Sequence, residues 1–151
     1  MSTHVGIERK IHDRGLRMTK QREAILEELR KVASHPRADE IHQRVRLRMP
    51  NVSFGTVYRN LRILKELGEV LELDYGRSSS RYDGNPANHY HFACDVCGRV
   101  FDIDAPVNTR VNKEVSDRTG FLVTRHRTEF YGTCRECLAA VTPVVLSESR
   151  A

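Results

Sequence analysis

All four cysteines of this chain stand in two matched pairs, Cys94-x-x-Cys97 and Cys134-x-x-Cys137, and no other feature restricts the fold as tightly. Two residues between thiols is the spacing of a tight knuckle, and two knuckles supply the four thiolates that close a tetrahedron around one Zn²⁺. The 36 residues between the pairs exceed the commonest zinc-ribbon gap, so each knuckle is expected to close on its own while a helix and a strand fill the space. Redox-active dithiols are the competing reading, and the matched spacing favours a structural metal. With 151 residues the chain holds one ordinary domain or two small ones, and small domains bury little enough surface that an extra staple is expected. Structural zinc contributes folding energy on the order of 10 kcal/mol.

The first cysteine pair lies inside "NHYHFACDVCGRVFD", residues 88–102, which adds donors of another character. Thiolates are soft ligands, whereas imidazole mixed with carboxylate suits Fe²⁺ or Mn²⁺, so two separate sites are expected. In a strand, residues two apart share a face, so His89 and His91 point together and Tyr90 points away. With "VFDID" as the next strand, Asp102 comes alongside. Asp83 and His35 are further candidates, although a lone histidine or aspartate is more often an ordinary surface or satisfied residue.

The first half reads as three helices and a hairpin. "TKQREAILEELRKV" spaces Ile25, Leu29 and Val32 four and three apart, with Thr19 as N-cap. "SHPRADEIHQRVRLRMP" gives a second short helix, with Ile41 and Val45 four apart and Pro50 as its stop. In "NVSFGTVYRNLRILKELGEV", Ser53 caps a third helix, Val57, Leu61 and Leu64 form its inward stripe, and Gly68 ends it. Tyr58, Arg59 and Arg62 then face outward. Two short helices joined tightly to a third of this kind form the pattern of a helix-turn-helix reader of duplex DNA; an ordinary solvated face is the alternative. "EVLELDYGRSSSRYD" alternates and turns like a hairpin wing, with Arg77 and Arg81 placed either for backbone phosphates or merely to keep an edge strand soluble.

Charge divides in the same place. Residues 1–77 carry 16 Lys/Arg and 11 Asp/Glu (16 − 11 = +5), and residues 78–151 carry 9 and 9 (9 − 9 = 0). A basic first half fits phosphate neutralisation, and equally a solvated basic surface. No apolar run is long enough to cross a bilayer, and the opening "MSTHVGIERKIHDRG" lacks a secretory pattern, so a cytoplasmic protein with reduced thiols is expected.

The pieces "RGLRMTKQREAIL", "SHPRADEIH", "VSFGTVYRNLRIL", "RYD", "HYHFACDVCG" and "YGTCRECL", in this order, resemble the ferric uptake regulator family of bacterial metal-dependent repressors over nearly the whole chain. The resemblance implies an α+β protein. A winged-helix DNA-binding domain (1–83) would be joined to an α/β dimerisation domain (84–151), acting as a homodimer on an inverted-repeat operator. It further implies structural zinc on Cys94, Cys97, Cys134 and Cys137. A regulatory Fe²⁺ or Mn²⁺ would sit on His35, Asp83, His89, His91 and Asp102. Tyr58 and Arg59 would lie at the major groove and Arg17 near the minor groove. Two departures stand out. Lys20 occupies a position where the family commonly has proline. Asn88 and Tyr90 replace a histidine and an acid of a further metal site, leaving His126 alone, so that third site is not expected.

Zinc-uptake regulators of the family tend to place a cysteine in the regulatory site, and none is left over here. Asp102 and the missing third site are similar to the peroxide-sensing repressors of the family. Within Tyr58-Arg59-Asn60 the arginine is similar to iron sensors and the asparagine to peroxide sensors. On the peroxide reading, His35 and His89 would be the rings oxidised; the alternative is iron response without peroxide sensing. Outside this class, a metal-dependent hydrolase is disfavoured because five protein ligands leave little room for water and no spare base is evident. A single-strand binder is disfavoured because aromatics make up only 7% of the chain and do not cluster.

Overall fold

Thr19 and Ser53, the two hydroxyls expected as N-caps, both perform that task in the computed structural model of the chain, which describes residues 3–76 and 79–141. Thr19 Oγ1 accepts from the Arg22 amide at 3.2 Å, and Ser53 Oγ from the Thr56 amide at 3.1 Å. Each satisfies a donor that the first helical turn leaves unpaired. The chain divides into two units, Met1–Ala87 and Asn88–Ala151.

The first unit contains α1 (Thr3–Asp13), α2 (Lys20–Arg30), α3 (Ala38–Arg48) and α4 (Phe54–Glu66), followed by an antiparallel hairpin of β1 (Leu71–Leu73) and β2 (Arg81–Asp83). Helix α1 was not among the expected elements. Its signal is Ile7 and Ile11, four apart and both buried in the same core as Ile25, Leu29, Ile41, Val45, Val57, Leu61 and Leu64. Burying one such side chain is worth about 1.5–3 kcal/mol before entropy is counted, which is why the apolar stripes of four short helices suffice to organise this unit. Helix α2 ends at Arg30, with Lys31 as its C-cap, so Val32, expected on its stripe, follows the helix instead. Helix α4 ends as expected, Gly68 taking a φ of +70° just past the cap.

The hairpin is fastened to the helices at two points. The Tyr82 amide donates to the Pro36 carbonyl at 3.0 Å, and Arg37 bridges Arg81. Just beyond β2, a Cβ added to Gly84 would lie 2.9 Å from the Leu29 carbonyl carbon and 3.0 Å from the Arg30 amide nitrogen, so only glycine permits this approach to α2. Arg77, the other basic residue expected on the wing, lies outside the described residues.

The second unit has a three-stranded sheet in the order β4-β3-β5, made of β3 (Tyr90–Cys94), β4 (Val100–Ile103) and β5 (Glu129–Gly132). Strand β3 pairs antiparallel with β4 and parallel with β5, and the crossover between β4 and β5 carries α5 (Arg110–Thr119). A seven-residue helix, α6 (Arg135–Val141), follows the second cysteine knuckle. "VFDID" forms a strand over Val100–Ile103, and the gap between the cysteine pairs holds two strands and a helix (β4, α5 and β5) where one of each was expected. Buried apolar residues are few here: among the described residues, Ala93, Cys94, Val100 and Cys134. No residue of α5 is buried, and Phe121 and Leu122 are 70% and 90% exposed. No described helix is long and apolar enough to cross a membrane.

Candidate metal centres and reading helix

Cys94 ends β3, and the turn that follows brings Cys97 back, closed by the Gly98 amide on the Cys94 carbonyl at 2.9 Å. The second knuckle begins at Cys134, whose amide donates to Cys94 Sγ at 3.3 Å. All four thiols are free and their sulfurs lie within 4.8 Å of one another. Cys94 Sγ is 3.9 Å from Cys137 Sγ, and Cys97 Sγ is 3.8 Å from Cys134 Sγ. Disulfide sulfurs are about 2.05 Å apart, whereas sulfurs about 2.3 Å from a common Zn²⁺ form a tetrahedron with edges of about 3.8 Å. The sulfur positions therefore fit a single zinc ion.

The metal-free thiols do not share protons evenly. Hydrogen bonding from the Cys97 backbone, supported by the Cys134 and Val96 backbones, draws the Cys94 thiol down to about 6. The Arg99 side chain lowers Cys97. Cys137, bonded to the Cys134 sulfur and desolvated, is pushed up to about 12. Four adjacent sulfurs cannot all ionise without a cation among them, so an ion bound by this cluster would displace protons from it.

In the same unit, His91 on β3 stands directly opposite Asp102 on β4. Asp102 Oδ1 lies 3.0 Å from His89 Nε2 and 3.5 Å from His91 Nε2, and the two rings are 4.4 Å apart at a tilt of 57°. Ligand atoms at about 2.1 Å from a common ion sit about 3.0 Å from their neighbours, so these three donors have the spacing and N/O character of a partial coordination sphere. Tyr90 faces the other side, edge-on to Phe130 at 5.7 Å.

In the first unit, the fastening of the hairpin to the loop before α3 brings His35 and Asp83 together. His35 Nδ1 is 3.8 Å from Asp83 Oδ1, and both side chains are buried. Arg81 donates to the His35 carbonyl at 3.1 Å, and Asp83 Oδ1 accepts from the Asn85 amide at 2.8 Å. Among the described residues His35 alone, apart from glycines, has a positive φ, +47°. A non-glycine residue in this region is strained and persists only where its surroundings hold it.

On α4, Val57, Leu61 and Leu64 are fully buried, while Tyr58, Arg59 and Arg62 are exposed. Arg62 Nε donates to Glu66 Oε1 at 3.2 Å, one turn on. Asn60, which the sequence reading grouped with Tyr58 and Arg59, is buried. Its Nδ2 donates to the Thr56 carbonyl at 2.9 Å, and its Oδ1 accepts from Arg22 Nε at 3.2 Å. Arg22 also donates to the carbonyl of exposed Arg17. A buried arginine thus ties the segment carrying Arg17 to α4, a role that sequence reasoning missed. Its signal was the position of Asn60, which belongs to the inward row of Val57, Leu61 and Leu64.

Residues 13–131 match the ferric uptake regulator family. The chain belongs to that family. Staphylococcus aureus has a relative, the peroxide-responsive repressor PerR, that is 47% identical over 123 residues, covering 82% of this chain and 83% of that protein. The structure of the Helicobacter pylori ferric uptake regulator Fur, described as having three functional metal binding sites, superposes with a TM-score of 0.72. It is 27% identical and covers 85% of this chain and 86% of its own. A peroxide stress regulator from Campylobacter jejuni superposes with a TM-score of 0.70 at 30% identity, covering 78% of this chain and 88% of its own.

Membership of the ferric uptake regulator family makes the chain a metal-dependent transcriptional regulator and speaks against the hydrolase and single-strand readings. Lys20 is the first residue of α2, a position that proline suits because the missing N–H costs nothing there, and Thr19 caps the helix without it. Tyr90 accepts from the Asn108 amide at 2.7 Å, and His126 Nδ1 lies 2.6 Å from Asn112 Oδ1.

Proposed function

We propose that this regulator is a peroxide-responsive repressor that binds inverted-repeat operator DNA as a homodimer in the cytoplasm. Cys94, Cys97, Cys134 and Cys137 would hold structural Zn²⁺, while His35, Asp83, His89, His91 and Asp102 would together hold Fe²⁺ or Mn²⁺. The observation that carries the reading is the convergence of two imidazole nitrogens on one carboxylate oxygen, at 3.0 and 3.5 Å, with every cysteine grouped elsewhere. The 47% identity to a peroxide-responsive repressor supports it.

Bound Fe²⁺ would supply one-electron reduction of hydrogen peroxide beside its own ligands. His35 and His89 are the rings that we assign to take up oxygen. An oxidised imidazole would be a poorer ligand, so its oxidation would weaken the hold of the set on the regulatory ion. Ligation by both units would select the arrangement in which paired α4 helices meet successive half-sites, with Tyr58, Arg59 and Arg62 in the major groove and Arg17 near the minor groove. Helix α5, without a buried residue, and exposed Phe121 and Leu122 support a dimer that covers them.

Gel shifts on operator DNA with Fe²⁺, Mn²⁺ or Zn²⁺, each with and without peroxide and across a salt series, test the proposal. Binding should require metal and fall steeply with salt. Peroxide should abolish it only in the iron-loaded protein, with one added oxygen on His35 or His89 by mass spectrometry. Release without oxidised histidine would leave iron response as the better account.

A further inference from the structure

Outside the ligand sets, Arg99, two residues beyond Cys97, makes several polar contacts at once within the second unit. Its Nε donates to Cys97 Sγ at 3.4 Å and one terminal nitrogen to Cys134 Sγ at 3.9 Å, so it touches one sulfur from each knuckle. The same nitrogen pairs with Glu136, which belongs to the second knuckle and α6. The guanidinium carbon lies 5.4 Å from the centre of the Phe101 ring. Arginine suits this position because its planar fork donates in several fixed directions at once, which a lysine ammonium does not.

We propose that Arg99 protects the zinc-bound thiolates from the peroxide that the neighbouring histidines are meant to sense, an inference that rests on the zinc assignment above. Four thiolates around Zn²⁺ carry a net charge of −2. A thiolate attacked by hydrogen peroxide uses a sulfur lone pair to form an S–O bond. The O–O bond breaks, hydroxide leaves, and the resulting sulfenic acid, no longer a thiolate, releases its hold on the metal. Arg99 engages lone pairs on Cys97 and Cys134, offsets part of the negative charge and covers one side of the sulfurs. Each effect slows the attack without changing the ligands. Glu136 keeps the guanidinium in place, so the two residues act as one strap between the knuckles.

The test uses full-length protein whose zinc content has first been measured; absence of zinc would overturn the zinc assignment and this inference with it, whereas the outcomes below bear on the inference alone. Zinc release is followed with a colorimetric indicator under hydrogen peroxide, and separately under a chelator without oxidant. For Arg99→Gln, peroxide-driven release should be on the order of tenfold faster, the lower end for outer partners of a metal site, while chelator-driven release changes little. Arg99→Lys should fall between that variant and the parent. Glu136→Gln, which leaves every sulfur contact chemically possible, should accelerate peroxide-driven release in the same direction and keeps the idea testable should Arg99→Gln not fold. Peroxide-driven release at the parent rate in both Arg99→Gln and Glu136→Gln would overturn the proposal. So would equal acceleration under peroxide and chelator, which would mark Arg99 as a fold contact only.

Discussion

Asn60 Oδ1 accepts from Arg22 Nε at 3.2 Å, and both side chains are buried. Desolvation lowers the proton affinity of this guanidinium, so the arginine stays charged at a cost that its acceptors offset. Asn60→Ala removes one of them and should destabilise the first unit by about 2 kcal/mol, the usual penalty for losing a partner of a buried charged group. Asn60→Asp, which keeps an acceptor, should lose much less. Urea unfolding followed by circular dichroism compares the two; equal stability of the alanine and aspartate variants would refute the assignment.

The strained backbone of His35 separates stability from ligation. At φ +47° an L side chain costs about 1–2 kcal/mol that glycine does not incur, part of which glycine gives back as unfolded-state entropy. Metal-free His35→Gly should therefore be more stable than His35→Ala by about 1 kcal/mol, while both lose Mn²⁺-dependent operator binding. Melts and gel shifts on the same two variants check both halves of this expectation.

What the sequence revealed and what it hid follow a physical division. Periodicity exposed the row Val57, Leu61 and Leu64 because a helix face repeats locally, and strand alternation put His89 and His91 on one side for the same reason. The two cysteine pairs were legible because their spacing is itself the geometry of a knuckle. His35 and Asp83 stand as separate candidates in the sequence and only family resemblance joins them, since their meeting depends on the wing folding back to Pro36. Arg99 meeting Glu136, and Arg22 meeting Asn60, were not legible at all: each joins distant segments, and a polar residue on an inward row carries no mark of its partner. Helix α1 has a local signal in Ile7 and Ile11, but a single pair four apart is a weak mark of a helix.

A pH dependence is expected at the wing. Lys65 Nζ lies 2.5 Å from Glu72 Oε2, and this bond, aided by Ser80 and opposed by burial, holds the Glu72 carboxyl below its ordinary 4.5. A depressed folded-state value means that the contribution is present above about 4.5 and is lost as the pH falls through the lower folded value. With Lys65 half exposed, solvent limits the pair to about 0.2–1 kcal/mol. Lys65→Met should be slightly less stable than the parent at pH 7 and indistinguishable from it near pH 2. A difference in melting temperature that persists unchanged into acid would show that Lys65 acts through packing instead.

Removing zinc should affect the two units unequally. Of the four buried apolar residues among the described part of the second unit, two, Cys94 and Cys134, are assigned as zinc ligands, so without the ion little remains to hold β3, β4 and β5 together. The first unit keeps a continuous core from Ile7 to Tyr82. Zinc binding in small domains is worth on the order of 10 kcal/mol, more than this sheet gains from Ala93 and Val100, at about 1.5–3 kcal/mol for burying a full-sized apolar side chain. Chelation under reducing conditions, followed by hydrogen exchange, should therefore strip protection from Tyr90–Cys94, Val100–Ile103 and Glu129–Gly132 while α2, α3 and α4 stay protected. Protection retained in all three strands after verified loss of zinc would show that the sulfur cluster is not the staple of this unit.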